Sequence, residues 1–300
     1  LALVETYVVR NDPNALSELS IIIAPFQALS PMFELLFELT RHALDALEGK
    51  DVSARRMKLL AKLELPLDGF APGAQQTLRS VLTYWLGIDK AVVGSESALD
   101  HAATLERQPQ YAPLGAQVRG IYHLFGGNEA EAETWQKRRE MLALQSPFAD
   151  LTSTRGVSYE AVGYYLCGSV LGMRRVLGEV RRLAARYPGW KRELRSVEAM
   201  YALLRGEPHT ALLFLEGETS GPTQVQAFIA LGDAESALAI AEQALASGKQ
   251  DHDHPMHLLR LCALRNVALS GTGEGPAASK ALQADIAEAE RAREANAAPL

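Results

Sequence analysis

Apolar positions recur every three or four residues along most of this chain. Leu35, Leu36, Leu39, Ala43 and Leu47 form one such stripe, with Glu38, Arg41, His42 and Asp45 in the places between them. That period marks a helix with one greasy and one polar side. Gly49 follows the stripe and predicts its end, because glycine tolerates the positive φ of a helix C-terminal cap. Asp51 or Ser53 then caps a second helix, which runs to about Leu63 before Pro66 halts it. The order repeats downstream: a long helix, a glycine with a polar neighbour, a shorter helix, then proline or a loop. Loop-like interruptions fall at 65–73, 108–113, 146–156, 217–222, 248–254 and 270–276. No alternating run bounded by hairpin turns occurs, so the pattern predicts an all-α fold.

Glycines give the repeat its length. The pairs Gly87/Gly94 and Gly120/Gly127 mark the passage from one helical segment to the next, and they stand 33 residues apart (120 − 87). Self-similarity at that interval is the mark of a helical solenoid. Taking Gly49, Gly94, Gly127, Gly172, Gly206 and Gly232 as turn markers gives uneven intervals of 45, 33, 45, 34 and 26 residues. The series predicts degenerate repeats with insertions and shortened units. The last helix, 277–296, is rich in Ala, Glu and Arg with a thin apolar stripe. It has the composition of a solvated capping helix.

These residues resemble the tetratricopeptide repeat family. Phe228, Gly232, Asp233, Ala237, Ala241 and Ala244 fit that motif best, with small side chains where helices cross. Ala54, Ala61 and Pro66 fit it around Gly49, and Gly120 and Ala132 fit around Gly127. Gly221, Gln224 and Arg119 stand where the family has large apolar groups, and Leu99 stands where it has a small one. The resemblance implies a right-handed superhelix of about seven or eight irregular helical hairpins over residues 1–300. It also implies a concave, partner-binding face carrying Tyr84, Ile88, Gln117, Ile121 and Leu124. The stretch Tyr187–Trp190 with Leu203–Pro208 is similar to helical repeat regions of large bacterial signalling proteins that carry kinase or ATPase modules. With the helical pattern already present at residues 1–10, it suggests a fragment of a longer polypeptide.

Composition agrees with helices rather than strands. The chain is 48% hydrophobic but only 7% aromatic, so Ala and Leu supply its core, as in close-packed helices. A net charge of −6 argues against nucleic-acid binding by the chain as a whole. Cys167 and Cys262 sit 95 residues apart in apolar helical stretches, which predicts free thiols and a reducing, cytoplasmic setting. The apolar stretches are too short and interrupted to span a bilayer.

Candidate chemistry is sparse. His254 and His257 are three apart, with Asp253 beside them, and could share a helix face. The metal motif of two histidines four apart around a glutamate is absent, and Asp253 or His254 with Pro255 makes a helix start, so no metal site is assigned. Neither a Gly-x-Ser-x-Gly elbow nor a P-loop occurs, and His42, His101 and His123 have no readable partner. No cofactor and no catalytic residue are predicted. One helix, about Met173–Tyr187, concentrates positive charge. Arg175, Arg182 and Arg186 share one side, and Arg174, Arg181, Lys191, Arg192 and Arg195 extend the ridge against only Glu179 and Glu193. It is either a solvated outer face or a docking surface for an acidic partner or phosphate. The sequence thus predicts a non-catalytic protein- or peptide-binding scaffold. The alternative is a small-ligand sensor with a cavity lined by Tyr164, Tyr165 or Trp135, regulating an upstream catalytic domain.

Overall fold

Proline and short polar side chains set where the helices begin. Pro13 and Pro31 open helices whose first free N–H groups are met by Asp12 (Ala15 N to Oδ1, 3.0 Å) and Ser30 (Phe33 N to Oγ, 3.4 Å). Asn128 does the same for Glu131 N at 3.2 Å. Proline costs nothing there because its missing N–H has no partner in the first turn. The computed structural model describes residues 2–64, 72–146, 154–217, 221–251 and 255–297. Among the described residues no β-strand occurs.

The helices fall into two compact units. The first comprises Leu1–Cys167 and Leu183–Trp190. It contains α1 (Ala2–Val9), α2 (Pro13–Ile23), a 3₁₀ turn (Ala24–Leu29), α3 (Pro31–Leu47) and α4 (Ser53–Lys62). It continues with α5 (Pro72–Val92), α6 (Ser97–Glu106), α7 (Ala112–Phe125), α8 (Glu129–Ala143), α9 (Thr154–Leu166) and a short 3₁₀ turn (Pro188–Trp190). From α1 to α8 each helix packs on its neighbour in the chain, α1 also meets α3 and α5 meets α7, and α9 packs on α7. Each contact hides the apolar face of one helix against another.

Small residues let these helices approach. A side chain at Gly87 of α5 would press on Val118 of α7 at 3.1 Å, and one at Gly115 of α7 would strike the Ala102 carbonyl of α6 at 2.7 Å. Gly87 and Gly120 lie inside α5 and α7, whereas Gly94 and Gly127 occupy turns. One contact in this unit reaches far beyond chain neighbours. The Trp190 indole N–H donates to the Val9 carbonyl (2.8 Å), and Asn11 Nδ2 donates to the Gly189 carbonyl (3.2 Å). The turn after α1 is thereby pinned to a segment 181 residues away.

The second unit comprises Gly168–Arg182 and Lys191–Leu300. It holds most of α10 (Val170–Arg186), then α11 (Lys191–Leu204), α12 (Pro208–Phe214), α13 (Pro222–Leu231), α14 (Ala234–Asp251), α15 (Pro255–Gly271) and α16 (Gly275–Ala297). Successive pairs from α11 to α16 pack together, and α13 also meets α11 and α15. Ala227, Ala237, Ala241 and Ala268 are buried at these crossings. Along α16, Ala278 is buried while Leu282 and Ile286 are exposed. That helix is tied to α15 by Asp285, which accepts from Arg265 (2.6 Å) and Asn266 (2.9 Å).

The turn glycines are mostly where the sequence put them. Gly49, Gly94, Gly127, Gly206 and Gly232 have positive φ. Gly172 does not take this role. It lies within α10, and Gly168 (φ 70°) makes the turn, with the Ser169 hydroxyl accepting from Gly172 N at 3.1 Å. Gly273 (φ 88°) adds a turn before α16.

Candidate interaction surfaces

The five side chains expected to line an open groove are interior. Tyr84 and Ile88 on α5, and Gln117, Ile121 and Leu124 on α7, are at most 2% exposed. α5 and α7 pack on each other and on α6, and α7 also receives α8 and α9, so these residues face helices rather than solvent. A partner laid on the surface does not reach them, which corrects the groove expected from the resemblance.

Their work is to carry polar groups through the core. The Tyr84 hydroxyl donates to Gln117 Oε1 (2.7 Å), and Gln117 Nε2 donates to Glu160 Oε1 (2.7 Å). Arg139 of α8 donates to that same carboxylate oxygen at 2.5 Å. Glu160 and Arg139 are both buried, so each charge is compensated by the other. Gly156 makes room for this chain, since any side chain there would collide with the Gln117 amide and the Tyr84 hydroxyl.

A second buried cluster joins α3, α4 and α5. Arg56 is fully buried, donates through Nε to His42 Nε2 (3.0 Å) and through Nη1 to the Trp85 carbonyl (2.7 Å), and pairs with Asp89. His42 stacks on the Trp85 ring at 5.2 Å, so it is not isolated as its sequence setting suggested. Accepting at Nε2 requires a neutral imidazole. Enclosed in this way, the cluster holds three helices together.

Burial shifts several of the other titratable groups. Burial, reinforced by the positive charge of Lys90, pushes His101 below its ordinary value, and burial first, with Arg119 adding to it, does the same at His123. Burial raises the Cys167 thiol, whose Sγ–H points at the Leu124 carbonyl (3.3 Å). Both cysteines are free thiols. Among the described residues no group of three His, Cys, Asp or Glu could hold a metal. His254 lies outside the described residues, as does the side chain of His257 in α15. Tyr164 and Tyr165 are buried. The Trp135 ring carries the Arg119 guanidinium at 4.9 Å, and Arg119 also donates twice to Glu106 (2.8 and 3.1 Å). Arg119 of α7 thus clamps onto α6 through Glu106 and onto α8 through Trp135.

The predicted basic ridge is at the surface. Arg174, Arg181, Arg182 and Arg186 are exposed and Arg175 is half-buried. Arg181 pairs with Glu198 (2.9 Å), and Arg186 lies 5.1 Å from the Tyr187 ring. Leu171, Arg174, Arg175, Gly178, Glu179 and Arg182 surround an open hollow of about 520 Å³. Sequence reasoning missed the rest of the exposed apolar surface. Ile21, Ile22, Phe26 and Leu29 stand in water at 44–70% exposure around the first 3₁₀ turn, inside an uncharged run from Leu19 to Phe33. That lack of charge was the available signal. A second open hollow, about 390 Å³, lies between α12 and α13 against Leu212, Leu213, Leu215 and Phe228. No helix among the described residues is long and apolar enough to cross a membrane. Compared with protein-family models, with curated proteins and with solved structures, the chain has no match.

Proposed function

We propose that this chain is a non-catalytic protein-binding module of tetratricopeptide-like hairpins wound into a right-handed superhelix, serving as a scaffold within a signalling polypeptide. The observation that carries the reading is the clustered apolar surface at Ile21, Ile22, Phe26 and Leu29. Contiguous apolar side chains in water are costly to keep and mark contact surfaces. The interior polar groups support it from the other side. Arg139, Glu160, Arg56 and Asp89 are engaged in joining helices, which leaves contact rather than chemistry as the work of the surface. The signalling context rests on the likeness of 187–208 to repeats of bacterial signalling proteins.

The test is to isolate a partner from native cells with the chain as bait and then rebuild the complex from two purified proteins. A stoichiometric complex is expected, weakened by the Ile21→Ser/Leu29→Ser variant or by charge reversal on α10. A pair that fails to re-form, or one indifferent to changes at every exposed cluster, ends the proposal. A sensor reading finds support in the open hollow between α12 and α13, not at Tyr164, Tyr165 or Trp135 where the sequence placed its cavity. Saturable binding of a small apolar probe there, abolished by Phe228→Arg, would replace the scaffold reading.

A further inference from the structure

We infer that the outer face of α10 is a docking strip for an acidic amphipathic helix, with Gly178 as the point of closest approach. The inference rests on the protein-binding reading above and names the site and the chemistry of the partner.

Gly178 is the anomaly from which the argument starts. It lies in the interior of a 17-residue helix, is exposed, and a side chain built on it meets nothing within 4 Å. Glycine in a helix interior is less stable than alanine. Neither backbone conformation nor internal packing asks for it here.

Its surroundings supply a reason. At about 100° per residue, Leu171, Arg174, Arg175, Arg181 and Arg182 all fall within about 60° of Gly178, on the face opposite the buried Met173, Val176 and Val180. Leu171 shares the midline with Gly178, two turns away, and is 79% exposed. Arginines flank that midline on both sides: Arg174 and Arg181 on one, Arg175 and Arg182 on the other. Arg181 is partly neutralised by Glu198 and Arg175 lies near Glu179, which leaves Arg174 and Arg182 as the exposed cations nearest the hollow.

A floor without a side chain between rows of guanidinium groups fits a helix whose backbone comes close at Gly178. One apolar side chain of that helix would cover Leu171, and carboxylates would project to both sides. Charge complementarity fixes the sign of the partner. A disordered acidic segment would gain from the arginines but not from the missing Cβ, and this difference separates the two.

Fluorescence anisotropy with the full chain decides the matter. The probe is a labelled synthetic helix of about 20 residues with glutamates on both sides of an Ala/Leu seam. A scrambled peptide of identical composition and a version with lysine for glutamate are the controls. The ordered acidic helix is expected to bind at least about tenfold more tightly than the scramble, and the lysine peptide not at all. Arg174→Glu/Arg182→Glu and Gly178→Leu should each weaken it by about tenfold or more, the latter with every charge intact. Open space around Gly178 means that the leucine variant folds, which circular dichroism checks. Equal binding of the scramble, or an indifferent Gly178→Leu variant, overturns the strip. A salt-sensitive dimer of the chain alone, lost in Arg174→Glu/Arg182→Glu, also overturns it by assigning the face to a second copy. The rebuilt native complex reports separately. If it persists in both variants, the strip falls while the protein-binding reading stands.

Discussion

Arg139 and Glu160 keep their charges in the core because each has the other, and because Gly156 leaves space for Gln117 to reach between α5 and α9. Removing one member strands a charge. Arg139→Met is expected to cost about 3–5 kcal/mol, with much of that recovered in Arg139→Met/Glu160→Gln, measured by urea denaturation. The opposite sign is expected at Gly178, where alanine should add about 0.5–1 kcal/mol because nothing crowds its methyl group. His101 gives a pH signature. Burial first, and Lys90 second, hold its folded pKa below the ordinary 6.5, so between those two values the folded protein binds fewer protons than the unfolded chain. Stability should therefore fall as pH drops below 6.5, and His101→Gln should flatten that part of the profile. At this scale the sequence was least legible. Gln117 could be read as polar among Ala116, Val118 and Ile121, but its partners Tyr84 and Glu160 lie on two other helices. His42 meets Arg56 only when α3 and α4 pack.

Helices were far easier to read, because their limits depend on local chemistry. Gly49, Asp51 and the proline after α4 bracket two helices whose observed spans, Pro31–Leu47 and Ser53–Lys62, follow the apolar stripe closely. The basic helix and the terminal helix were also found within a few residues of their ends. The error at Gly172 is instructive for the same reason. Gly168 and Gly172 both stood available, and what selects Gly168 is Ser169, whose hydroxyl satisfies a free N–H of the next helix. A hydroxyl three residues before a glycine was a local signal that the repeat spacing overrode. The groove failed for a different cause. Motif positions carried over from a family describe which residues face inward along a helix, but whether that face stays open depends on the neighbouring helices. Here α6, α8 and α9 cover it.

On the scale of the whole chain, neighbour-by-neighbour packing accounts for most of each unit, and the bond between Trp190 and Val9 stands apart from it. Gly189 permits that bond, since a side chain there would overlap the Asn11 and Arg10 carbonyls. Gly189→Ala is therefore expected to free α1. A red shift in tryptophan emission and faster proteolytic trimming of the first dozen residues would report this, and an unchanged cleavage rate would refute it. Charge is also unevenly spread. A chain of net −6 concentrates arginine along α10, so the acidic partner proposed above would be selected by that strip and not by the net charge. The Trp190 bond has a consequence for biosynthesis. A ribosome adding about 5–20 residues per second needs roughly 10–40 s after making Val9 to deliver the indole that holds it. Through that interval α1 waits without its clasp, and any chaperone that shelters it has that long to act.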